Sequence, residues 1–596
     1  MNIYTERQFF PRVAYFCMEY GLHYKLPIYA GGLGVLAGDY IKAAHDLSLP
    51  MVALGILWKQ DYTEQFIGED GRPYDVYPDF NFDNVQDTGV TVQVQVRGEN
   101  VTCKVHKVEQ YGNIPLYLLD TNFPGSTHGW MTRRLYGGEE QDRVAAEIIL
   151  GIGGMRALRA LGINVDIYHM NEGHAVFAGF ELIKEKMNQR ALSFEDAWAE
   201  TRKEIVFTTH TPVAAGNEIH KHDLLRFMDA YNGLTYEQVK EIGGDPFNMT
   251  AAGLSLSHVS NGVSKLHGLT ASRMWKNVPK ASNIISITNG VHNYTWQDSR
   301  IRQAFEQKGD IWAAHMENKK EFAQYIKDKT GSNVNPNALL VGFARRAAPY
   351  KRSDLIFRST EVIEPLLREG KVQLVFSGKA HPKDGMGKDI IQQLVQMDRK
   401  YKDSVIFIEN YNMEVAHYMI RGCDVWLNNP RRPLEASGTS GMKAAMNGVL
   451  NLSVIDGWVG EGLQHRVSGW LINPQHNEKL QEWEQDERDL QELYYVLLNE
   501  VIPTYYNDRD LWVEMMRASI DMSRWHFSSH RMIREYYELM YQVTKDIKDG
   551  KEEYRYSNVE HALQNPVEEH GQHRFNYYNN QFHHHHQYHR QHHYDH

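Results

Sequence analysis

Short apolar runs, closed by glycines or polar turns, alternate along the chain with longer amphipathic stretches. Residues 13–17, 52–58, 115–119, 165–169, 205–209 and 284–288 read as strands, and 141–161 reads as one of the helices between them. A charged helical stretch runs to about residue 329, and the segment 331–337, Gly-Ser-Asn-Val-Asn-Pro-Asn, reads as a linker. A second series follows at 339–344, 372–377, 405–409, 424–427 and 450–455. Strands alternating with helices predict parallel sheets covered by helices. Two successive Rossmann-like α/β domains with an interdomain cleft is the simplest architecture. Their expected bounds are 1–330 and 331–530, with a terminal helix at 531–553 packing back on the first domain. In open sheets of this kind ligands bind outside the carboxyl ends of the strands, so the polar segments just after strands are the candidates for chemistry.

Bulk properties narrow the function. A chain of 596 residues, 42% hydrophobic and 23% charged, suits a multidomain globular protein. The formal net charge of −11 does not point to nucleic acid, and no run of about 18 apolar residues predicts a membrane span. The first twelve residues lack the basic-then-apolar pattern of a secretory signal. The three cysteines, Cys17, Cys103 and Cys423, have no metal-site spacing and read as reduced, so a cytoplasmic location is expected. Residues 554–596 change composition to His, Gln, Asn and Tyr, which predicts a disordered tail open to adventitious zinc or nickel. No dedicated metal site is assigned.

Four segments carry candidate chemistry. Tyr29-Ala30-Gly31-Gly32-Leu33-Gly34 follows the first strand and leads into a helix, so its amides can approach an anion. His169-Met170-Asn171-Glu172-Gly173-His174 follows another strand and presents His174. Arg345-Arg346-Ala347-Ala348-Pro349-Tyr350-Lys351-Arg352 follows a very apolar strand. Four cations there suit a phosphate site, although a solvated basic helix start has the same composition. Lys443 closes the segment Glu435-Ala436-Ser437-Gly438-Thr439-Ser440-Gly441-Met442-Lys443, where a lysine among small residues can form a Schiff base with a carbonyl cofactor. A solvated lysine on a helix-opening loop is the plainer alternative.

In combination and order these segments resemble the α-glucan (glycogen/maltodextrin) phosphorylases, in the short microbial branch, over about residues 11–535. The resemblance implies a two-domain GT-B glycosyltransferase fold. It also implies pyridoxal 5′-phosphate on Lys443 and release of glucose 1-phosphate from an α-1,4-glucan by inorganic phosphate. It casts Arg346, Lys351, His174 and Glu435 as the catalytic set. Arg345, Tyr411, Thr439, Gly438 and Gly32 would join Lys443 around the cofactor, and Gly31, Asn289, His292 and Lys379 would touch substrate. Arg345 stands where the family has a lysine, a fork in place of a point donor. A homodimer is compatible with this reading. Its rivals are a nucleotide-sugar glucan synthase of the same fold, against which Lys443 in place of a second acid argues, and a noncatalytic glucan-binding scaffold.

Overall fold

The computed structural model describes residues 10–82, 84–212, 216–473, 480–548 and 551–556. The His-rich tail expected from residue 554 lies almost wholly outside the described residues. Residues Met1–Tyr536 form one compact unit and Tyr537–His596 a second. Among the described residues no helix is long and apolar enough to cross a membrane.

Two large sheets organise the first unit. The second of them in chain order has six parallel strands in the spatial order Val405–Ile408, Val372–Ser377, Leu339–Ala344, Val425–Asn428, Leu450–Val454, Gly469–Ile472. Numbered along the chain, that is 3-2-1-4-5-6, the order of a doubly wound Rossmann sheet. Its first strand shows why the sequence there is uniformly apolar. Leu339, Val341 and Phe343 enter the core on one face, while Leu340 and Ala344 enter the core on the other. A strand buried on both faces loses the polar-apolar alternation.

The other sheet has nine strands in the order Asn283–Ser286, Val259–Gly262, Ile205–Thr208, Ile167–Asn171, Val13–Phe16, Met51–Ile56, Leu116–Asp120, Glu99–Val108, Gln86–Val96. The first seven are parallel, and the last two join as an antiparallel edge hairpin. Here too the order reverses beside the first strand, between Val13–Phe16 and Ile167–Asn171. Each sheet therefore has one switch point, the place in such sheets where ligands bind at the strand ends.

The sequence-derived strands lie within a residue or two of those observed, but several regions depart from expectation. The edge hairpin, Val259–Gly262 and Gly469–Ile472 are additional strands. The expected helix at 141–161 is a run of α-helix, a π-turn at Ile149–Gly153 and α-helix again. The expected terminal helix at 531–553 is corrected: helix Ser529–Leu539 gives way to antiparallel strands Val543–Lys548 and Lys551–Tyr556. The β-branched Val543, Thr544 and Ile547 disfavour helix, and Asp549-Gly550 between the runs is a hairpin signal in the sequence.

Candidate active site

The carboxyl ends of the six-stranded sheet position the basic segment. Leu339–Ala344 and Val425–Asn428 flank its switch point, and the side chains just beyond them meet there. Arg345 donates from Nη1 to Asn428 Oδ1 at 2.6 Å and from Nη2 to Glu435 Oε2 at 2.7 Å. The Lys351 Nζ reaches the same Glu435 oxygen at 2.5 Å. Burial alone would raise the Glu435 pKa, but Arg345 and Lys351 outweigh it and hold the acid down to about 2. Arg345 Nε is buried without a hydrogen-bond partner among the described residues, so the cluster has donor capacity left over. Arg346, in contrast, is exposed and makes no ion pair among the described residues.

Local backbone geometry sets the lysine segment. Gly438 has φ +73°, a left-handed conformation in which a Cβ would be strained, and it lies against Glu435. Thr439 then caps the short helix Ser440–Ala445, which carries Lys443. At Gly457 a Cβ would come within 2.1 Å of the Ser437 carbonyl, so only glycine lets the turn after Leu450–Val454 press on this segment. Helix Arg509–His526 backs the lysine helix through Ser519 Oγ on the Ala445 carbonyl, 3.3 Å.

Lys443 is buried, and its Nζ lies 3.9 Å from the Trp296 ring centroid. No hydrogen bond to this ammonium is present among the described residues. Burial lowers its pKa to about 8, with Asp39 opposing and Lys42 reinforcing the shift. Trp296 is locked in turn by Asp39, whose two carboxylate oxygens each accept from the indole Nε1 at 2.9 Å. Asp39 sits on helix Gly32–Asp46, which begins at the glycine loop.

That loop has an internal anion. Glu19 Oε2 accepts from the amides of Ala30 at 2.6 Å and Gly31 at 3.1 Å, and its Oε1 accepts from the Tyr136 hydroxyl at 2.9 Å. A Cβ added at Gly31 or Gly32 would meet nothing within 4 Å, so these glycines face open space. At the switch point of the nine-stranded sheet, Glu172 adopts φ +70° just after strand Ile167–Asn171, and His174 follows. Burial lowers the His174 pKa to about 4, and its Nδ1 is buried without a hydrogen-bond partner among the described residues. Asn289 is also buried with an unpartnered Oδ1.

Several bonds tie the strand-end loops of the two sheets together. Lys379 Nζ donates to the Thr63 carbonyl at 2.6 Å, Ser264 Oγ to the Ala436 carbonyl at 2.6 Å, and the Met413 amide to the Tyr29 hydroxyl at 3.0 Å. Tyr411, two residues before Met413, has its pKa raised to about 12 by burial against the opposing charge of Arg345.

The expected residues therefore fall into groups. Arg345, Lys351 and Glu435 form one ion-paired cluster, Gly438 lies against Glu435 and is followed by Thr439, and Tyr411 feels the charge of Arg345. Lys443 stands on the Trp296–Asp39 support. Gly31, whose amide was expected to face a ligand, has that amide engaged by Glu19. His292 is placed differently from a sugar-binding histidine. Its Nδ1 is 2.7 Å from Thr295 Oγ1 and its Nε2 is 2.8 Å from Asp46 Oδ2, so both polar atoms are engaged within the protein.

Sequence reasoning did not single out Trp296, Asp39, Asn428, Glu19 or Asp456. Asp39 and Asn428 stand at a helix following a strand and at a strand end, which is the signal that could have found them. Asp456 accepts the amides of Glu435 and Gly457, each at 2.9 Å, and burial raises its pKa to about 7, with the neighbouring Glu435 adding to the shift.

Two doubly wound sheets, a cation–carboxylate cluster and a buried lysine with no hydrogen-bond partner among the described residues mark a candidate group-transfer site. The carbohydrate phosphorylase family profile matches residues 300–461. The maltodextrin phosphorylase of Thermococcus litoralis is 40% identical over 89% of this chain and 70% of its own length. The glycogen phosphorylase of Aquifex aeolicus is 35% identical, over 89% of this chain and 86% of its own. An uncharacterized protein of Methanocaldococcus jannaschii is 33% identical, over 89% of this chain and 99% of its own. The chain belongs to the carbohydrate phosphorylase family.

Proposed function

We propose that this protein is an α-1,4-glucan phosphorylase that uses pyridoxal 5′-phosphate. It would split the terminal glucosyl unit of glycogen or maltodextrin with inorganic phosphate, giving glucose 1-phosphate with retention. The observation that carries the reading is Lys443: a buried lysine, with a lowered pKa and no hydrogen-bond partner among the described residues, one short helix away from a cation cluster.

The residues present fit the cofactor. The Lys443 nitrogen, over the Trp296 ring, and the buried Arg345 Nε both lack a hydrogen-bond partner among the described residues. Lys443, Arg345, Tyr411, Gly438, Thr439 and Gly32 would hold it. When bound, pyridoxal phosphate supplies acid–base chemistry through its 5′-phosphate.

The protein's own side chains would do the rest. Arg346 and Lys351 bind and orient inorganic phosphate, and clustered cations stabilise the charge that gathers there during transfer. Glu435 stays ionised and directs Arg345 and Lys351 through Oε2, which leaves Oε1 for a sugar hydroxyl. Asn289 Oδ1 and His174 offer further polar atoms to the glucosyl unit, and Lys379 holds the loops of the two sheets together. The glucan would enter a cleft between a first domain built on the nine-stranded sheet and a second built on the six-stranded one. A cavity of about 730 Å³ lined by Trp58, Tyr77, Trp130 and Tyr136 provides the aromatic surfaces that sugars favour.

The test is an assay of the purified protein with maltodextrin or glycogen, with and without inorganic phosphate. Release of glucose 1-phosphate that depends on phosphate is expected. Chain extension from a nucleotide sugar, with no phosphorolysis, would overturn the proposal.

A further inference from the structure

Behind His174, in the wall of the aromatic cavity, lies a second cluster that phosphorolysis does not use. Glu147, on helix Glu140–Ile148, is wholly buried, and neither of its carboxylate oxygens is in hydrogen-bond geometry with a donor among the described residues. His220, on the short strand Ile219–His220, is buried too, and its Nε2 lies 3.3 Å from Glu147 Oε2, also outside hydrogen-bond geometry. Glu218 Oε2 is a fourth buried atom without a hydrogen-bond partner among the described residues, and stands 3.8 Å from His174 Nε2. The ligand atoms of Glu147, Glu218 and His220 all lie within 4.8 Å of one another.

The far side of two of these residues is anchored. His220 Nδ1 is 3.1 Å from Glu140 Oε1, which fixes the ring and turns Nε2 inward. Glu218 Oε1 is gripped by Arg143 Nε, which leaves Oε2 free. A carboxylate behind the outer nitrogen of an imidazole is the arrangement by which proteins orient metal-binding histidines. Glu147 and Glu218 share one buried corner, and two carboxylates that close need a proton or a cation between them.

We propose that Glu147, Glu218 and His220 bind one divalent transition-metal ion of the zinc class. One imidazole nitrogen and two carboxylates suit such an ion, and Glu218, on the cavity wall, leaves a coordination position for water. The ion would pin strand Ile219–His220 to helix Glu140–Ile148 beside His174, a structural role.

The test compares the full-length protein with Glu147→Gln, His220→Gln and Glu218→Gln, and with His128→Gln as a control for imidazole number. All five proteins retain the His-rich tail, so uptake by the tail cancels. Each is stripped with chelator, loaded with zinc, desalted, and assayed for metal by atomic emission. Cobalt loading then reports geometry through its visible absorption, and circular dichroism reports folding. Wild type and His128→Gln should hold one equivalent more zinc than the three cluster variants, and should show strong cobalt bands of low coordination number that the variants lack. Equal metal content and identical cobalt spectra in folded wild type and variants would overturn the site and leave a proton-sharing carboxylate cluster in its place. Phosphorolysis is not the readout, so this result is independent of the proposed activity.

Discussion

The Lys443 ammonium lies 3.9 Å from the centroid of the Trp296 ring, and the indole N–H of Trp296 is held by both oxygens of Asp39. The cation is placed over a π face rather than beside a carboxylate. A ring in a buried site supports a charged amine less than a salt bridge would, so burial prevails and the pKa falls to about 8. A side chain held this way is stationary and partly deprotonated near neutral pH.

Cofactor attachment should follow from that. Borohydride reduction followed by peptide mass analysis should place a pyridoxyl group on Lys443. The rate of reconstitution of stripped protein should climb with pH and level off above about 8, because only the neutral amine attacks and the folded pKa is lowered from 10.5 to about 8. A rate still rising steeply toward pH 10, or a label on another lysine, would refute this assignment.

Arg346 is the cation of the cluster with no ion pair among the described residues, so it is the one available to substrate phosphate. Arg346→Ala should keep the cofactor absorbance yet lose about two to three orders of magnitude in kcat/KM for phosphate. Turnover equal to wild type would move the phosphate elsewhere.

Glu435 links acid stability to the site. Its folded pKa is depressed from 4.5 to about 2, so the stabilisation is fully present above pH 4.5 and is lost as pH falls toward 2. From the size of the shift it amounts to roughly 3 kcal/mol. Glu435→Gln should lower stability at pH 7 by a few kcal/mol, because two buried cations lose their partner. It should also flatten the loss of stability below pH 4.5. Denaturant melts of both proteins across this range would measure the difference, and parallel curves would count against the ion-pair account.

Asp456 should make anion binding pH-dependent. Its folded pKa is raised to about 7, so the acid is neutral below that pH and adds a negative charge beside Glu435 above it. Sulfate keeps a constant charge over this range, so it separates the effect from titration of phosphate itself. Inhibition by sulfate should weaken as pH rises through about 7 in wild type and stay level in Asp456→Asn. The same weakening in both proteins would show that another group is responsible.

Much of this protein was legible in its sequence because the signals were local. The apolar runs at 339–344 and 372–377 match their strands, since a strand buried on both faces must be apolar throughout. The switch from such a run to Arg345, or to Glu172 and His174, marks a strand end, and the Glu435–Lys443 spacing is a property of one continuous segment. Strand Val259–Gly262 was not legible, because Val-Ser-Asn-Gly reads as a turn until neighbouring strands supply its hydrogen bonds.

Tertiary structure alone decided the rest. That Trp296 lies under Lys443, that Asp39 holds Trp296, and that Glu19 fills the amides of the glycine loop are contacts across tens to hundreds of residues. The same is true of the engagement of His292 by Asp46 and of the meeting of Glu147 with Glu218 and His220. No periodicity or spacing encodes such contacts. They exist because two sheets, each folded by its own local pattern, bring the ends of distant strands to one place, and only there do burial and neighbouring charge decide which of many similar side chains are engaged and which are left free to react.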